Sequence, residues 1–289
     1  MTPEQYCQDK TANSGSSFYY SFIFLPDTKR KAITAVYAFC REVDDVVDNP
    51  GENQIKQVKL QWWRDEIARL FKHQAQHPVT RALMPVIDKF NLPEEYFQEI
   101  IDGMQMDLDQ TSYATFKDLY LYCYRAAGVV GLISAEIFGY QDRQTLKYAS
   151  TLGTAFQLTN IIRDVHEDAL RGRFYLPEDE LQKFSLTQKD IIHGTQSDKF
   201  ISLIQFQIQR AKEYYQKAYT LLPDNDRYSQ TCGLIMADIY SSILYKIENQ
   251  PGKVLQHRIH LSHIRKIWIA LSSLYREHRL HQRIVKQHV

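Results

Sequence analysis

Residues 41–48 read Arg-Glu-Val-Asp-Asp-Val-Val-Asp. Asp44 and Asp48 are four residues apart, so on a helix they share one face, with Asp45 adjacent and partly rotated. Three carboxylates in a single turn near a helix C-terminus repel one another and oppose the macrodipole. That arrangement costs stability unless cations neutralise it. Hard divalent cations prefer oxygen ligands, and Mg²⁺ is usually held by one or two carboxylates plus substrate phosphates. Taken alone, such a run reads most simply as a solvated acidic face. A second run changes that reading. Gln157, Asn160, Asp164 and Asp168 are spaced three, four and four residues apart and form one polar stripe. The other side of the same segment is apolar, with Leu158, Ile161, Ile162 and Val165. Oxygen donors on an otherwise core-seeking helix suit the lining of a cavity. Two such clusters facing each other across a helical bundle would chelate Mg²⁺ and present it to a diphosphate. Asp44, Asp48, Asp164 and Asp168 are therefore the candidate catalytic residues.

Arginines accompany both runs. Arg41 lies one turn before Asp45, Arg163 is next to Asp164, and Arg173 follows the second run. Arginine binds phosphate in bidentate fashion, which suits a diphosphate; the simpler reading of Arg41 is a helix salt bridge to Asp45. The chain holds 19 Tyr and 14 Phe, several of them between residues 16 and 22. Aromatic walls behind a metal-lined mouth suit ionisation of an allylic diphosphate, because ring faces stabilise a cation. Asp102, Asp107 and Asp109 fall on different helix faces and read as solvated or structural groups. His166 reads either as a ligand or base or as an exposed residue within the second cluster.

These side chains need helices to carry them. Apolar periodicity of three and four predicts helices over 28–48, 55–72, 78–90, 94–110, 116–138, 142–168, 197–221 and 229–248, with one or two more from 261 to 285. Breaks fall at Asn49-Pro50-Gly51, Leu92-Pro93, Gly139 and Arg171-Gly172-Arg173. Gly and Pro together number 20 of 289 residues, well under the usual share of about 12%. No stretch shows sustained hairpin-type alternation. The expected fold is all-α: a single-domain helical bundle over residues 1–289 with a central cavity. Residues 172–200 read as a loop carrying short helical turns.

The net charge is +1, without the basic excess expected of a nucleic-acid binder that works by overall charge. Cys7, Cys40, Cys123 and Cys232 are far apart, which indicates neither a zinc site nor a disulfide framework and fits a reducing cytoplasm. The N-terminus lacks the apolar core of a secretory signal, and no unbroken apolar run of membrane-spanning length is present. Charge is uneven, however. Residues 257–289 hold seven Lys and Arg against Glu277 alone. Such a segment, particularly beyond Arg276, reads as a solvated helix face or as a peripheral contact with an anionic membrane.

The segments YAFCREVDDVVD, GMQMDL, YCYRAAGVVG and FQLTNIIRDVHEDALRGRFYLPEDEL resemble the squalene/phytoene synthase family, as do ADIYSSIL and HRIHLSHIRKIWIAL near the end. The resemblance covers nearly the whole chain, from Ser14 to about Leu271. SGSSFYYSFIFLP, AITAVYAFCREVDDVVD and IIDGMQMDLDQT are most similar to the branch that makes presqualene diphosphate for hopanoids. The resemblance implies an isoprenoid-synthase helical fold that binds two farnesyl diphosphates with Mg²⁺. It implies metal contacts from Asp44, Asp45 and Asp48 on one side and from Asn160, Asp164 and Asp168 on the other. It places Tyr37, Arg41, Arg163, Arg173, Tyr240 and Arg258 at the diphosphates, Ser17 and Phe18 at a flap over the donor, and Gln157 in the cavity wall.

Arg125 departs from the family pattern, which has Tyr there in many members; the expectation is a cavity-side cation that retains a diphosphate. The expected reaction is head-to-head condensation of two farnesyl diphosphates. The first ionises, its allylic cation alkylates the second, and proton loss to the departing diphosphate closes the cyclopropane of presqualene diphosphate. Phytoene, dehydrosqualene or squalene are the alternative products, and a non-catalytic assembly factor of the same fold is a remote one. No dinucleotide fingerprint is present, so no NADPH is expected. The expected location is cytoplasmic, or peripheral on the inner membrane surface.

Overall fold

A computed structural model describes residues 1–13 and 19–287 of the chain. Fifteen α-helices are found among them: α1 (Pro3–Asn13), α2 (Tyr19–Phe22), α3 (Asp27–Asp48), α4 (Asn53–Leu70), α5 (Pro78–Phe90), α6 (Glu94–Asp109), α7 (Phe116–Cys123), α8 (Val129–Phe138), α9 (Gln144–Leu170), α10 (Glu178–Lys183), α11 (Gln188–Ile192), α12 (Asp198–Leu221), α13 (Asp224–Arg227), α14 (Thr231–Asn249) and α15 (His263–Gln287). A π-helical turn, Tyr124–Gly128, joins α7 to α8, and a 3₁₀ turn, Pro251–Leu255, follows α14. No β-strand occurs among the described residues, so the all-α expectation holds.

Local chemistry sets the helix ends. Asn49-Pro50-Gly51 ends α3, because Pro removes a donor and disfavours helix before it. At the start of α5 the His77 ring accepts from the Val79 amide at 3.2 Å, and its last turn closes on Asn91 at φ +49°. A reciprocal capping box between Thr115 and Asp118 starts α7. The segment read as a loop over 172–200 does contain two short helices, α10 and α11. The N-terminal helix α1 had no expectation behind it: its mean hydropathy is low and only Cys7 and Thr11 are buried.

Two apolar clusters flank a central space. One is built from α3 to α6 and α8, around Phe39, Leu60, Leu83, Phe97 and Ile133. The other gathers α7, α9, α12 and α14 around Leu119, Tyr148, Ile162, Phe200 and Ile239. Residues 116–138 form the one helical stretch among those described that is long and apolar enough to cross a membrane, although charged and polar residues interrupt it. Here it is a core helix: Leu119, Tyr122, Cys123, Val129, Ile133 and Ile137 are all buried against neighbouring helices.

Helices α8 and α9 meet backbone to backbone. A Cβ on Gly131 would lie 2.2 Å from the Ala149 carbonyl oxygen, and one on Gly153 would lie 2.3 Å from that of Ala127. No larger residue fits either contact, and Gly131, Gly153 and Ala127 all face the central space. The π turn beside them also turns Ala126 and Ala127 into this wall. After α9 the chain reverses at Gly172, at φ +78°. It then pairs with the loop after α6 through Phe174 N to Thr111 O at 2.7 Å and Glu178 N to Tyr113 O at 2.9 Å. That pairing carries Arg173 and Tyr175 back over the cavity.

Candidate active site

A cavity of about 770 Å³ lies between the two clusters. Met104, Val130, Phe138, Leu152 and Met236 line its apolar part, and both acidic runs line its polar end. From α3 come Tyr37, Arg41, Asp44 and Asp48; from α9 come Gln157, Asn160, Arg163, Asp164 and Asp168. Arg173, Tyr240 and Arg258 complete this end. The two runs, distant in sequence, thus face one space, as their stripes require.

Arginine engages Asp44, Asp45, Asp48 and Asp164 directly, whereas Asp168 feels Arg173 and Arg171 only through space. Arg41 donates to Asp44 at 3.3 Å and to Asp45 at 2.8 Å. Arg173 donates to Asp48 at 2.7 Å and to the Val47 carbonyl at 2.8 Å, capping α3 and bridging the two sides of the cavity. Asp164 accepts from Arg163 Nε at 2.8 Å and from both Arg258 Nε and Nη2, at 2.9 and 3.1 Å. Among the described residues no three His, Cys, Asp or Glu side chains converge on one point.

Burial raises the Asp44 carboxyl to about 7, with Arg41 opposing and Asp48, Asp107 and Asp45 reinforcing. The Asp44 side chain is 30% accessible, but that surface opens into the protein-lined cavity, which explains why it behaves as desolvated. Burial likewise raises Asp168 to about 7, with Asp164 adding repulsion and Arg173 and Arg171 opposing. On α9 the Asn160 side-chain nitrogen donates to Gln157 at 3.3 Å, while its buried oxygen Oδ1 has no hydrogen-bond partner. A buried carbonyl oxygen without a donor, in a cavity also lined by two carboxylates whose charge is disfavoured, is a donor set in want of a cation. Mg²⁺ fits it, because Mg²⁺ takes one or two carboxylates and completes its shell with phosphate and water, so a ready-made cage of three acids is not required.

Four expectations need correction or fall elsewhere. Arg125 does not line the cavity. It sits at the α6 contact, where its Nε donates to Glu99 at 2.8 Å and Asp102 lies 3.8 Å away. Steric pressure explains this: Gly103 packs against the Arg125 backbone and Cβ, so the side chain leaves toward the α6 carboxylates. Asp45 also points away, held by Lys10 of α1 at 2.8 Å and by Arg41. His166 is engaged outside the cavity, its Nδ1 3.0 Å from the Ile191 carbonyl. Ser17 and Phe18 lie outside the described residues.

Asp107, read as solvated or structural, is instead part of the cavity wall. It accepts from the Tyr175 hydroxyl at 2.8 Å and the Tyr122 hydroxyl at 3.2 Å. Burial raises it to about 6, opposed first by Arg173 and then by the two tyrosines. The GMQMDL segment was the available signal for it; nothing local links Asp107 to Tyr175, 68 positions later. Lys266, only 8% exposed, also faces the polar end, where burial and the nearby Arg163 and Arg258 lower its proton affinity.

This architecture is that of the helical isoprenoid synthases, and the comparisons agree. The squalene/phytoene synthase family profile matches residues 11–265, and the chain belongs to that family. A 15-cis-phytoene synthase from Synechococcus elongatus is 35% identical over 276 residues, covering 90% of this chain and 89% of its own. A phytoene synthase from Mycobacterium tuberculosis is 36% identical over 267 residues, covering 91% and 88%. Among solved structures, a dehydrosqualene synthase in complex with ligand superposes with a TM-score of 0.80 at 28% identity, covering 94% and 95%. Squalene synthase HpnC from Alicyclobacillus acidocaldarius gives 0.76 at 28% identity, covering 86% and 94%. The protein is therefore a prenyltransferase-type isoprenoid synthase. The phytoene synthase relatives favour the alternative product over the presqualene diphosphate expected from the motifs.

Proposed function

We propose that the chain joins two allylic prenyl diphosphates head to head, with phytoene from geranylgeranyl diphosphate as the product class its relatives favour. The carrying observation is the cavity itself, charged and oxygen-rich at one end and apolar along the rest. Arg41, Arg163, Arg173, Arg258 and Lys266 bind the diphosphates. Binding exchanges the carboxylate partners of the four arginines for phosphate oxygens and leaves Asp44, Asp48, Asn160, Asp164 and Asp168 free to hold Mg²⁺. When bound, Mg²⁺ supplies Lewis-acid charge to the leaving diphosphate. Apolar walls from α8, α9 and α14 seat the chains and exclude water from the allylic cation. Phe156 and Tyr240, with ring centroids 4.9 Å apart, offer ring faces to that cation. Tyr122 and Tyr175 hold their hydroxyl protons toward Asp107.

A second reading keeps farnesyl diphosphate as substrate and a C30 product, presqualene diphosphate included. It is favoured by the solved relatives named squalene and dehydrosqualene synthase. The loss of Arg125 from the cavity removes one argument for retention of the second diphosphate. Purified protein with Mg²⁺ should be given each diphosphate separately, with and without NADPH, and its products identified by mass. Phytoene formed from the C20 substrate more efficiently than any C30 product from the C15 substrate supports the first reading. Preferential turnover of farnesyl diphosphate overturns it.

A further inference from the structure

The face of α15 that points away from the protein carries a ridge of large apolar side chains. Ile264 is 81% exposed, Trp268 69%, Leu271 51% and Tyr275 63%, with Ile267 at 47% beside them. Their spacing of three and four aligns them along one helix face. The opposite face is docked: Lys266, Ile269, Ala270, Ser273 and Glu277 are buried. Glu277 accepts from Arg227 at 2.6 Å, and Arg276 and Ser273 both donate to Asp238. The helix is thus held rigidly and the ridge is its outward side. Arg265, Arg279, Arg283 and Lys286 are exposed on the same helix, and among the described residues they form no ion pair. Arg279 lies over the Tyr275 ring at 5.6 Å.

We infer that this ridge is a membrane-docking surface for an anionic lipid bilayer. A helix with a strong apolar face that includes Trp and Tyr, flanked by unpaired cations, matches what lies in the plane of a bilayer interface. The cations select anionic headgroups over a second, similarly basic copy of this helix. Position gives the contact a use. The start of α15 and the segment before it border the cavity: Arg258, Ile259, Leu261 and Lys266 line it, while Ile264 and Trp268 lie within a turn of Lys266 on the outer face. Docking therefore holds the cavity mouth near the interface, where amphiphilic prenyl diphosphates partition; this last point rests on the proposed substrate class.

The full-length protein should cosediment with phosphatidylcholine vesicles that contain phosphatidylglycerol, and do so less as salt is raised through the range where the Debye length falls below about 8 Å. The double variant Ile264→Ser/Trp268→Ser should bind these vesicles about tenfold more weakly. Arg279→Gln/Arg283→Gln should weaken binding and flatten the salt dependence. Helical content, and product formation from detergent-dispersed substrate, should be unchanged in both variants, which separates failure of docking from failure of the proposed reaction. Equal vesicle binding by wild type and the Ile264/Trp268 variant overturns the inference. So does a wild-type dimer that this variant dissociates, because a second copy then covers the ridge.

Discussion

Asp164 is the most heavily engaged carboxylate of the site, bound by Arg163 and by both donors of Arg258. Its negative charge is useful only where a cation and a diphosphate compete for those partners. Asp164→Asn and Asp48→Asn should each lower turnover by about a hundredfold, roughly 2.7 kcal/mol of transition-state stabilisation, with the circular dichroism of the helices unchanged. Steady-state rates on either prenyl diphosphate check this, and full activity removes that carboxylate from the chemistry. Asp107 makes a different prediction. Its folded value is raised from 3.8 to about 6, so the folded protein holds this proton more tightly than the unfolded chain does. The stability this contributes is complete below the unfolded value and is lost as pH rises through about 6. Asp107→Asn should therefore narrow the difference in melting temperature between pH 5 and pH 8 in metal-free protein. An unchanged difference would show that Asp107 titrates normally.

At the scale of elements, the close passage of α8 over α9 shapes the cavity wall. Gly153→Ala forces a methyl group to 2.3 Å from the Ala127 carbonyl oxygen, so α9 and the π turn that leads into α8 must separate. The expected cost is about 1–3 kcal/mol, read as a lower melting temperature, together with a changed preference between C15 and C20 substrates, because both glycines face the cavity. A wild-type melting temperature and substrate preference would mean that the contact relaxes without consequence. The acidic helix α3 depends on α1 as well. Lys10 bonds Glu42 at 2.9 Å and Asp45 at 2.8 Å, relieving repulsion in the acidic turn. It also shows why Asp45, though adjacent to Asp44, is not free to serve the cavity. The last helix, whose charge suggested a solvated tail, is anchored through Glu277 and Arg276, and its outward face is apolar over residues 264–275.

For the whole molecule, the ion pairs that close both motifs predict linked binding. Mg²⁺ alone meets Asp44, Asp48 and Asp164 already paired with arginine, and diphosphate alone meets those same arginines already paired with carboxylate. Inorganic diphosphate and Mg²⁺ together should raise the melting temperature more than the sum of their separate effects. At about 100 times the dissociation constant the stabilisation is roughly 2.7 kcal/mol. Additive shifts in a thermal scan would argue against the exchange of partners. Arg173, which ties Asp48 of α3 to the segment after α9, is where the coupling crosses the cavity, and Arg173→Ala should diminish the excess.

Helix periodicity, the two oxygen-bearing stripes and their companion arginines were legible in the sequence, because spacing of three and four on a helix is a local property. So was the prediction that both stripes share a cavity, because polar oxygens on a core-seeking helix need somewhere to face. The directions of Arg125 and Asp45 were not legible, since each is decided by what packs beside it: Gly103 and the α6 carboxylates for one, Lys10 for the other. Asp107 with its two tyrosines was equally hidden, because its partners come from α7 and from a loop returned by the Gly172 turn. The product class was not legible either, since it depends on how deep the apolar walls run. Sequence alone therefore determined most of the long helices and which of their faces carry charge. Tertiary structure decided which of those charges reach the cavity, because a side chain goes where burial and an oppositely charged partner together lower its free energy.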